Sequence, residues 1–165
     1  MRFPVHVSPL AAAVLSFALF GSGCGAAPAS LGTFKVNGVD TPLGYAGLVA
    51  MPPTNGTPRM VLVLAEKAPA PGADANMLSY TGGLGASVSG PIVQDPEKGW
   101  SAPAGFSYFH PSAKDHHGWC AGTNCVLKDA VVKDGEFHAH LVSTAPPAAT
   151  GESVVLDMNL RIRMP

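Results

Sequence analysis

The sequence has few charged side chains and concentrates neither sign of charge in any segment. Its 165 residues carry 10 Lys and Arg against 11 Asp and Glu, so charged residues make up 13% of the chain. Proteins bind nucleic acids and other polyanions through clusters of basic side chains. The sequence has no such cluster and no acidic run, so it does not indicate a nucleic-acid partner.

Long helical patterns and long apolar runs are also missing. The 19 Gly and 16 Pro are spread along the chain, and both residue types interrupt regular elements. The apolar run Leu10–Phe20 falls well below the roughly 18 residues that a membrane-spanning helix needs, and no later segment approaches that length. We therefore expect short elements that are joined by turns.

The first 29 residues have the order of an export signal. Arg2 gives an early positive charge, Leu10–Phe20 is the apolar segment, and small residues follow it. This order is typical of a secretory signal peptide. Cleavage after Ala29, where small residues occupy the positions that signal peptidase inspects, would secrete residues 30–165 as one domain of ordinary size.

A second processing route is visible in FGSGCG, residues 20–25. Ser22, Gly23 and Cys24 resemble the lipobox of bacterial lipoproteins, although Gly21 stands where that motif usually has leucine. The resemblance implies a lipid on Cys24, which would tether the protein to a membrane. It also implies a place in the bacterial cell envelope, as a periplasmic or outer-membrane lipoprotein.

The three cysteines are divided by this leader. Cys24 is either lipidated or removed with the leader, so Cys120 and Cys125 remain as a pair. Disulfides persist in the oxidising compartments that exported proteins occupy. We therefore expect a disulfide between Cys120 and Cys125, and not a pair of zinc-binding or redox-active thiols.

Alternation of apolar and polar side chains is the clearest structural signal. Every second residue of Ser153–Met164 is apolar, which predicts a long, half-buried strand. Arg59–Glu66 is almost continuously apolar and suits a central strand that is covered on both faces. The pattern as a whole predicts an all-β domain, a single antiparallel sandwich or barrel of about eight short strands. Further expected features are strands near residues 31–38, 45–51, 85–95 and 104–111, a turn over Pro52–Pro58, and one helical turn that Asp74 caps and that ends near Leu78.

A β-hairpin is predicted in Val126–Val142. Asp134-Gly135 suits a two-residue turn, because both central residues of such a turn need positive φ. Regular pairing from this turn places His138 and His140 on the face opposite Phe137. The expected partners are Lys133 with Glu136, Val132 with Phe137, Val131 with His138, Ala130 with Ala139, and Asp129 with His140.

The five histidines beyond the leader all lie between residues 110 and 140. His138 and His140 share one face of the predicted strand, at a spacing that suits two metal ligands. Asp129, across from His140, is expected as a third ligand or as an acceptor for the ring N–H. The candidates to complete a tetrahedral zinc site or a tetragonal copper site are His110, His116 and His117. In the competing interpretation, these histidines form the solvated face of an amphipathic strand, and no metal binds.

Motifs for nucleophilic chemistry are incomplete. Leu84–Gly90 resembles a nucleophile elbow but has Ser89 where that motif has its second glycine. Our hypothesis is therefore an exported binding or structural module without enzymatic activity, which is tethered through Cys24 and contacts an unidentified protein or small molecule. Two alternatives stay open: a periplasmic copper- or zinc-binding protein, and a metal-dependent hydrolase with Asp129 or Asp115 as general base.

Overall fold

The computed structural model describes residues 30–144 and 151–165. The predicted leader, residues 1–29 with Cys24, lies outside these residues. Within the two described ranges, no helix has the length and apolar character needed to cross a membrane.

The described chain forms two antiparallel sheets, which confirms the predicted all-β sandwich. Its strands are β1 (Gly32–Val36), β2 (Val39–Asp40), β3 (Tyr45–Thr54), β4 (Thr57–Ala65), β5 (Ser87–Asp95), β6 (Gly99–Ser101), β7 (Phe106–Phe109), β8 (His117–Cys120), β9 (Cys125–Lys133), β10 (Glu136–Ser143) and β11 (Val154–Arg163). Sheet one has the order β2-β1-β11-β10-β9; sheet two has the order β3-β4-β5-β7-β8, with β6 paired to β5. The eleven strands exceed the predicted eight because β2, β6 and β8 are too short to show alternation in the sequence.

β11 is the central strand of sheet one and pairs with β1 and β10. Its burial alternates along all ten residues, as the sequence predicted. Apolar side chains from Val154 to Ile162 face the core. The alternate residues Asp157, Asn159 and Arg161 are exposed, so the outer face of sheet one is polar at its centre.

β4 is covered on both faces, as its continuous apolar run predicted. Leu62 and Leu64 lie in the main core between the two sheets. Val61, Val63 and Ala65 belong to a second apolar cluster, on the outer face of sheet two. This face is therefore occupied by packed chain and differs from the open, polar outer face of sheet one.

A short helix, α1 (Ala75–Thr81), packs over the second cluster. It begins at Asp74, whose Oδ1 accepts a hydrogen bond of 3.0 Å from the Met77 backbone N–H, and this cap was predicted. The helix continues beyond the predicted end at Leu78. It ends at Gly82, which adopts the left-handed conformation, with φ of 74°, that commonly terminates helices.

The turn between β3 and β4 is tighter than predicted. We expected Pro52–Pro58 to form the turn, but Asn55 and Gly56 alone connect the two strands. Both residues have positive φ, 52° and 77°, as a two-residue hairpin turn requires. The two prolines of β3 are tolerated because β3 is an edge strand and its pairing is irregular at that point.

The predicted disulfide between Cys120 and Cys125 is confirmed, with Sγ atoms 1.87 Å apart and Cα atoms 5.7 Å apart. β8 ends at Cys120 and β9 begins at Cys125, so the bridge joins an edge strand of sheet two to an edge strand of sheet one. Both side chains are fully buried. The bridge therefore holds the corner at which the chain crosses between the sheets, directly before the histidine-bearing hairpin.

Candidate functional site

A polar cleft lies on the outer face of sheet one, where β9, β10 and β11 run side by side. Its volume is about 390 Å³. We call it the imidazole cleft, because two histidines of β10 form its centre. It is lined by Asp129, His138, Ala139, His140, Asn159, Leu160 and Arg161.

A β-bulge in β9 shapes one wall of this cleft. The hairpin pairs as predicted from its tip as far as His138, which lies opposite Val131. The register then shifts, because two residues of β9, Asp129 and Ala130, stand opposite the single residue Ala139. The predicted pairing of Ala130 with Ala139 is therefore wrong.

The predicted pairing of Asp129 with His140 is wrong for the same reason, since His140 lies opposite Lys128. Asp129 is the extra residue of the bulge and has a positive φ of 52°. Aspartate tolerates this conformation better than most residues because its short polar side chain can hydrogen-bond locally. Asp129 nevertheless lines the imidazole cleft together with His138 and His140. It does so from the bulge and not as the cross-strand partner of either histidine.

The conformation of Asp129 gives a test of the bulge. Asp129→Val is expected to lower the free energy of unfolding by about 1–2 kcal/mol, because a β-branched side chain is strained at positive φ. Asp129→Gly is expected to leave it unchanged or raise it, because glycine adopts this conformation freely. Urea denaturation of both variants measures the difference. Equal stabilities of the two variants would contradict the left-handed conformation.

His140 is oriented by a carboxylate of the neighbouring strand. Its Nε2 lies 2.7 Å from Oδ1 of Asp157 on β11. An ionised carboxylate only accepts hydrogen bonds, so the ring donates its Nε2–H. We expected such a carboxylate partner for His140, but we assigned it to Asp129 and missed Asp157. The register of β10 on β11 brings Asp157 within reach, opposite Val142 and one diagonal step from His140.

His138 lies beside an ion pair. Its Nε2 is 3.6 Å from Oε2 of Glu136, and the same oxygen accepts a 2.5 Å hydrogen bond from Nε of Arg161. The positive charge of Arg161 is thus offset by Glu136. Neither residue was predicted as part of the site, because its only signal in the sequence is a position on the polar side of an amphipathic strand.

His110 is a core residue and lies away from the cleft. Its ring is fully buried and packs edge-on against Phe34, with ring centroids 5.1 Å apart. Nδ1 accepts a 3.1 Å hydrogen bond from the Ser112 backbone N–H. Nε2 therefore carries the proton and donates it to Oγ1 of Thr41 over 2.9 Å. Both ring nitrogens are engaged within the fold.

The burial of His110 predicts a pH dependence of stability. Burial lowers the pKa of His110 below its usual 6.5, because the charged ring loses its hydration. The contribution of the neutral, buried His110 to the free energy of unfolding is complete above pH 6.5. It is lost as the pH falls through the folded-state pKa, because the unfolded chain binds the proton more readily than the folded chain. Urea denaturation across this range should show stability falling with acid in the wild type and falling less steeply in His110→Asn. Parallel profiles would contradict the assignment.

His116 is the last residue of a single 3-10 turn, Lys114–His116, and His117 begins β8 in sheet two. Nδ1 of His116 is 3.2 Å from the Pro111 carbonyl oxygen, and both rings pack against Phe109. The structure thus brings Asp129, His138 and His140 to one cleft and places the other three predicted ligands between the end of β7 and the start of β8. In residues 30–144 and 151–165, no three His, Cys, Asp or Glu side chains are already arranged around a common metal position.

No protein-family model matches this chain, and neither a curated protein nor a solved structure matches it. Functional inference therefore rests on the residues of the chain itself.

Proposed function

We propose that this protein is an exported, lipid-anchored binding module of the bacterial cell envelope, that it has no enzymatic activity, and that the imidazole cleft is its binding surface. The observation that carries the proposal is the cleft itself. Ionisable side chains line it, and they belong to strands whose opposite faces are packed in the core. A rigid support with convergent polar groups is the usual form of a ligand site.

The side chains of the cleft suit binding better than covalent catalysis. Among the described residues that line it there is no Ser, Thr or Cys, so these residues offer no hydroxyl or thiol nucleophile. His140 is oriented by Asp157, and Arg161 is held by Glu136. Side chains that are positioned in this way present fixed donors and acceptors to a ligand.

The anchor would keep this surface close to a membrane. Cys24 precedes the first strand, which begins at Gly32, by eight residues. A fully extended chain of that length spans at most roughly 30 Å. A lipid on Cys24 would thus hold the sandwich at the membrane surface.

Metabolic labelling tests the anchor. The full-length protein, produced in a bacterial host with an alkyne fatty acid, should become labelled and fractionate with membranes. Cys24→Ala should lose the label and leave the membrane fraction, whereas the control Ser8→Ala, which lies in the leader outside the lipobox-like motif, should retain both. An unlabelled wild-type protein that is cleaved after Ala29 would overturn this part of the proposal and leave a secreted protein.

Ligand screening by NMR tests the binding surface. The purified protein would be titrated with divalent cations, phosphate, dicarboxylates and short oligosaccharides, and each amide shift recorded. Shifts that concentrate on β10 and β11, and that disappear in His138→Asn/His140→Asn, would support the proposal. Responses confined to sheet two, or no response to any compound, would overturn it.

An activity assay distinguishes the hydrolase alternative. We expect no hydrolysis of a panel of esters and phosphoesters, with or without added divalent metal. Turnover that His138→Asn/His140→Asn abolishes would replace the binding module with a metal-dependent hydrolase.

A further inference from the structure

Two imidazoles project from the same face of β10. His138 and His140 are two residues apart, so they lie about 6–7 Å apart along one side of the strand. Both side chains are partly exposed, at 37% and 33%. Their rings can therefore move towards each other without disturbing the core. Two imidazoles at this spacing can share one metal ion.

The contact with Asp157 leaves one nitrogen of His140 suited to metal binding. In the neutral ring, in which Nε2 donates its proton to Asp157, Nδ1 carries the lone pair. Within the described residues Nδ1 of His140 makes no hydrogen bond, and the same is true of Nδ1 of His138. A histidine that donates one N–H to a carboxylate and binds metal through the other nitrogen is the common arrangement in metalloproteins.

The bulge supplies a third donor. Asp129 is exposed and lines the same cleft, and its carboxylate has no hydrogen bond or ion pair among the described residues. Asp129 is the extra residue of the bulge in β9, and a bulge changes the direction of a side chain relative to regular pairing. Asp129, His138 and His140 line the same cleft and are at least partly exposed, so binding of one ion by all three would involve rotation of surface side chains.

Charged side chains of both signs lie around the cleft on the outer face of sheet one: Asp129, Glu136 and Asp157, and Lys128, Lys133, Arg161 and Arg163. Arg161 is engaged by Glu136. His140 contacts the carboxylate of Asp157, which would offset part of the charge of a bound cation. The preference for a cation therefore rests on the donor atoms of the histidines and not on the net charge of this face.

We infer that the imidazole cleft binds one divalent transition-metal ion through His138, His140 and Asp129, and that it binds Cu(II) more tightly than Zn(II). The inference rests on the proposed function, because it names the ligand class of the same cleft. Imidazole and carboxylate donors bind Cu(II) most tightly among the divalent first-row metals. Three protein donors leave further coordination positions open to water.

Calorimetry and electron paramagnetic resonance test this inference on the chelator-stripped protein. Cu(II) should bind with a stoichiometry of about one and with an affinity about tenfold or more above that for Zn(II). The spectrum should show superhyperfine coupling to two imidazole nitrogens. In NMR, paramagnetic Cu(II) should broaden the amides of β10 and β11 first.

Matched variants identify the ligands. His138→Asn/His140→Asn should weaken Cu(II) binding by about 100-fold or more, and Asp157→Asn by about 10- to 100-fold through loss of ring orientation. The control His116→Asn/His117→Asn removes the same number of histidines from sheet two and should change the affinity less than about twofold. Circular dichroism establishes that each variant is folded.

Four outcomes would overturn the metal assignment, and the last two separate its failure from that of the proposed function. Equal loss of Cu(II) binding in the two double-histidine variants would indicate nonspecific binding by surface histidines. Unchanged binding in His138→Asn/His140→Asn would locate the ion elsewhere. A cleft that responds to another compound of the NMR screen but not to Cu(II) would reject the metal and retain the binding module. If neither the screen nor Cu(II) affects the cleft, both proposals fail.

Discussion

Replacement of Phe137 by alanine is expected to lower the free energy of unfolding by about 3–5 kcal/mol. Phe137 is fully buried on the core face of β10 and packs edge-on against Trp100, with ring centroids 6.0 Å apart. Its removal leaves a cavity between the two sheets that neighbouring strands cannot close without losing their pairing. Urea denaturation followed by tryptophan fluorescence measures the loss.

The position of Phe137 also connects the core to the imidazole cleft. It stands between Glu136 and His138, so its burial directs both neighbours to the outer face. The control Val131→Ala lies on the same hairpin at a side chain that is 52% exposed, and it should change stability by no more than about 0.5 kcal/mol. A loss below about 1 kcal/mol for Phe137→Ala would mean that the core does not depend on this contact.

The parts of the fold that could be predicted are those with a local signal. The alternation of apolar and polar residues in β11 can be read from consecutive residues, and the structure shows the same alternation of buried and exposed side chains. The hairpin tip at Asp134 and Gly135 was predictable because few residues tolerate positive φ at both positions. The disulfide was predicted from two cysteines that remain after the predicted export signal.

The site was predicted in part, because its remaining features depend on pairing between distant segments. His138 and His140 were identified from their spacing along one strand. Asp157 became their neighbour through the register of β10 on β11, which no local pattern specifies. The bulge at Asp129 shifts the register between β9 and β10 by one residue. It could not be predicted, because an aspartate within a strand does not by itself indicate a bulge.

The buried carboxylate of Glu152 was not predicted from the sequence. Glu152 is 7% exposed and precedes β11. Its Oε2 accepts a 2.6 Å hydrogen bond from the hydroxyl of Tyr108 on β7. Its Oε1 accepts a hydrogen bond from the Lys114 backbone N–H. Gly118 makes room for the phenol, since a Cβ there would overlap the Tyr108 ring. Glu152 thus connects the start of β11 in sheet one to sheet two.

Glu152→Ala is expected to lower the free energy of unfolding by about 2–4 kcal/mol. The buried Tyr108 hydroxyl would lose its acceptor, which costs about 1–3 kcal/mol, and the partly buried Lys114 N–H would lose a hydrogen bond that contributes about 1 kcal/mol. Tyr108→Phe removes one donor and leaves the other satisfied, so it should cost less. Urea denaturation of both variants and of the double variant measures the coupling. Additive losses would contradict a shared interaction.

Alkaline pH provides an independent test of the same pair. Burial raises the pKa of Tyr108 above its usual 10.0, and the hydrogen bond to Glu152 and the charge of that carboxylate raise it further. The contribution of the protonated Tyr108 to the free energy of unfolding is complete below pH 10.0. It is lost as the pH rises towards the folded-state pKa, because the unfolded chain releases the phenol proton at a lower pH than the folded chain does. Wild-type stability should therefore fall above pH 10.0 more steeply than that of Tyr108→Phe. Identical slopes for the two proteins would show that Tyr108 ionises as freely in the fold as in the unfolded chain, and the buried contact with Glu152 would then have to be abandoned.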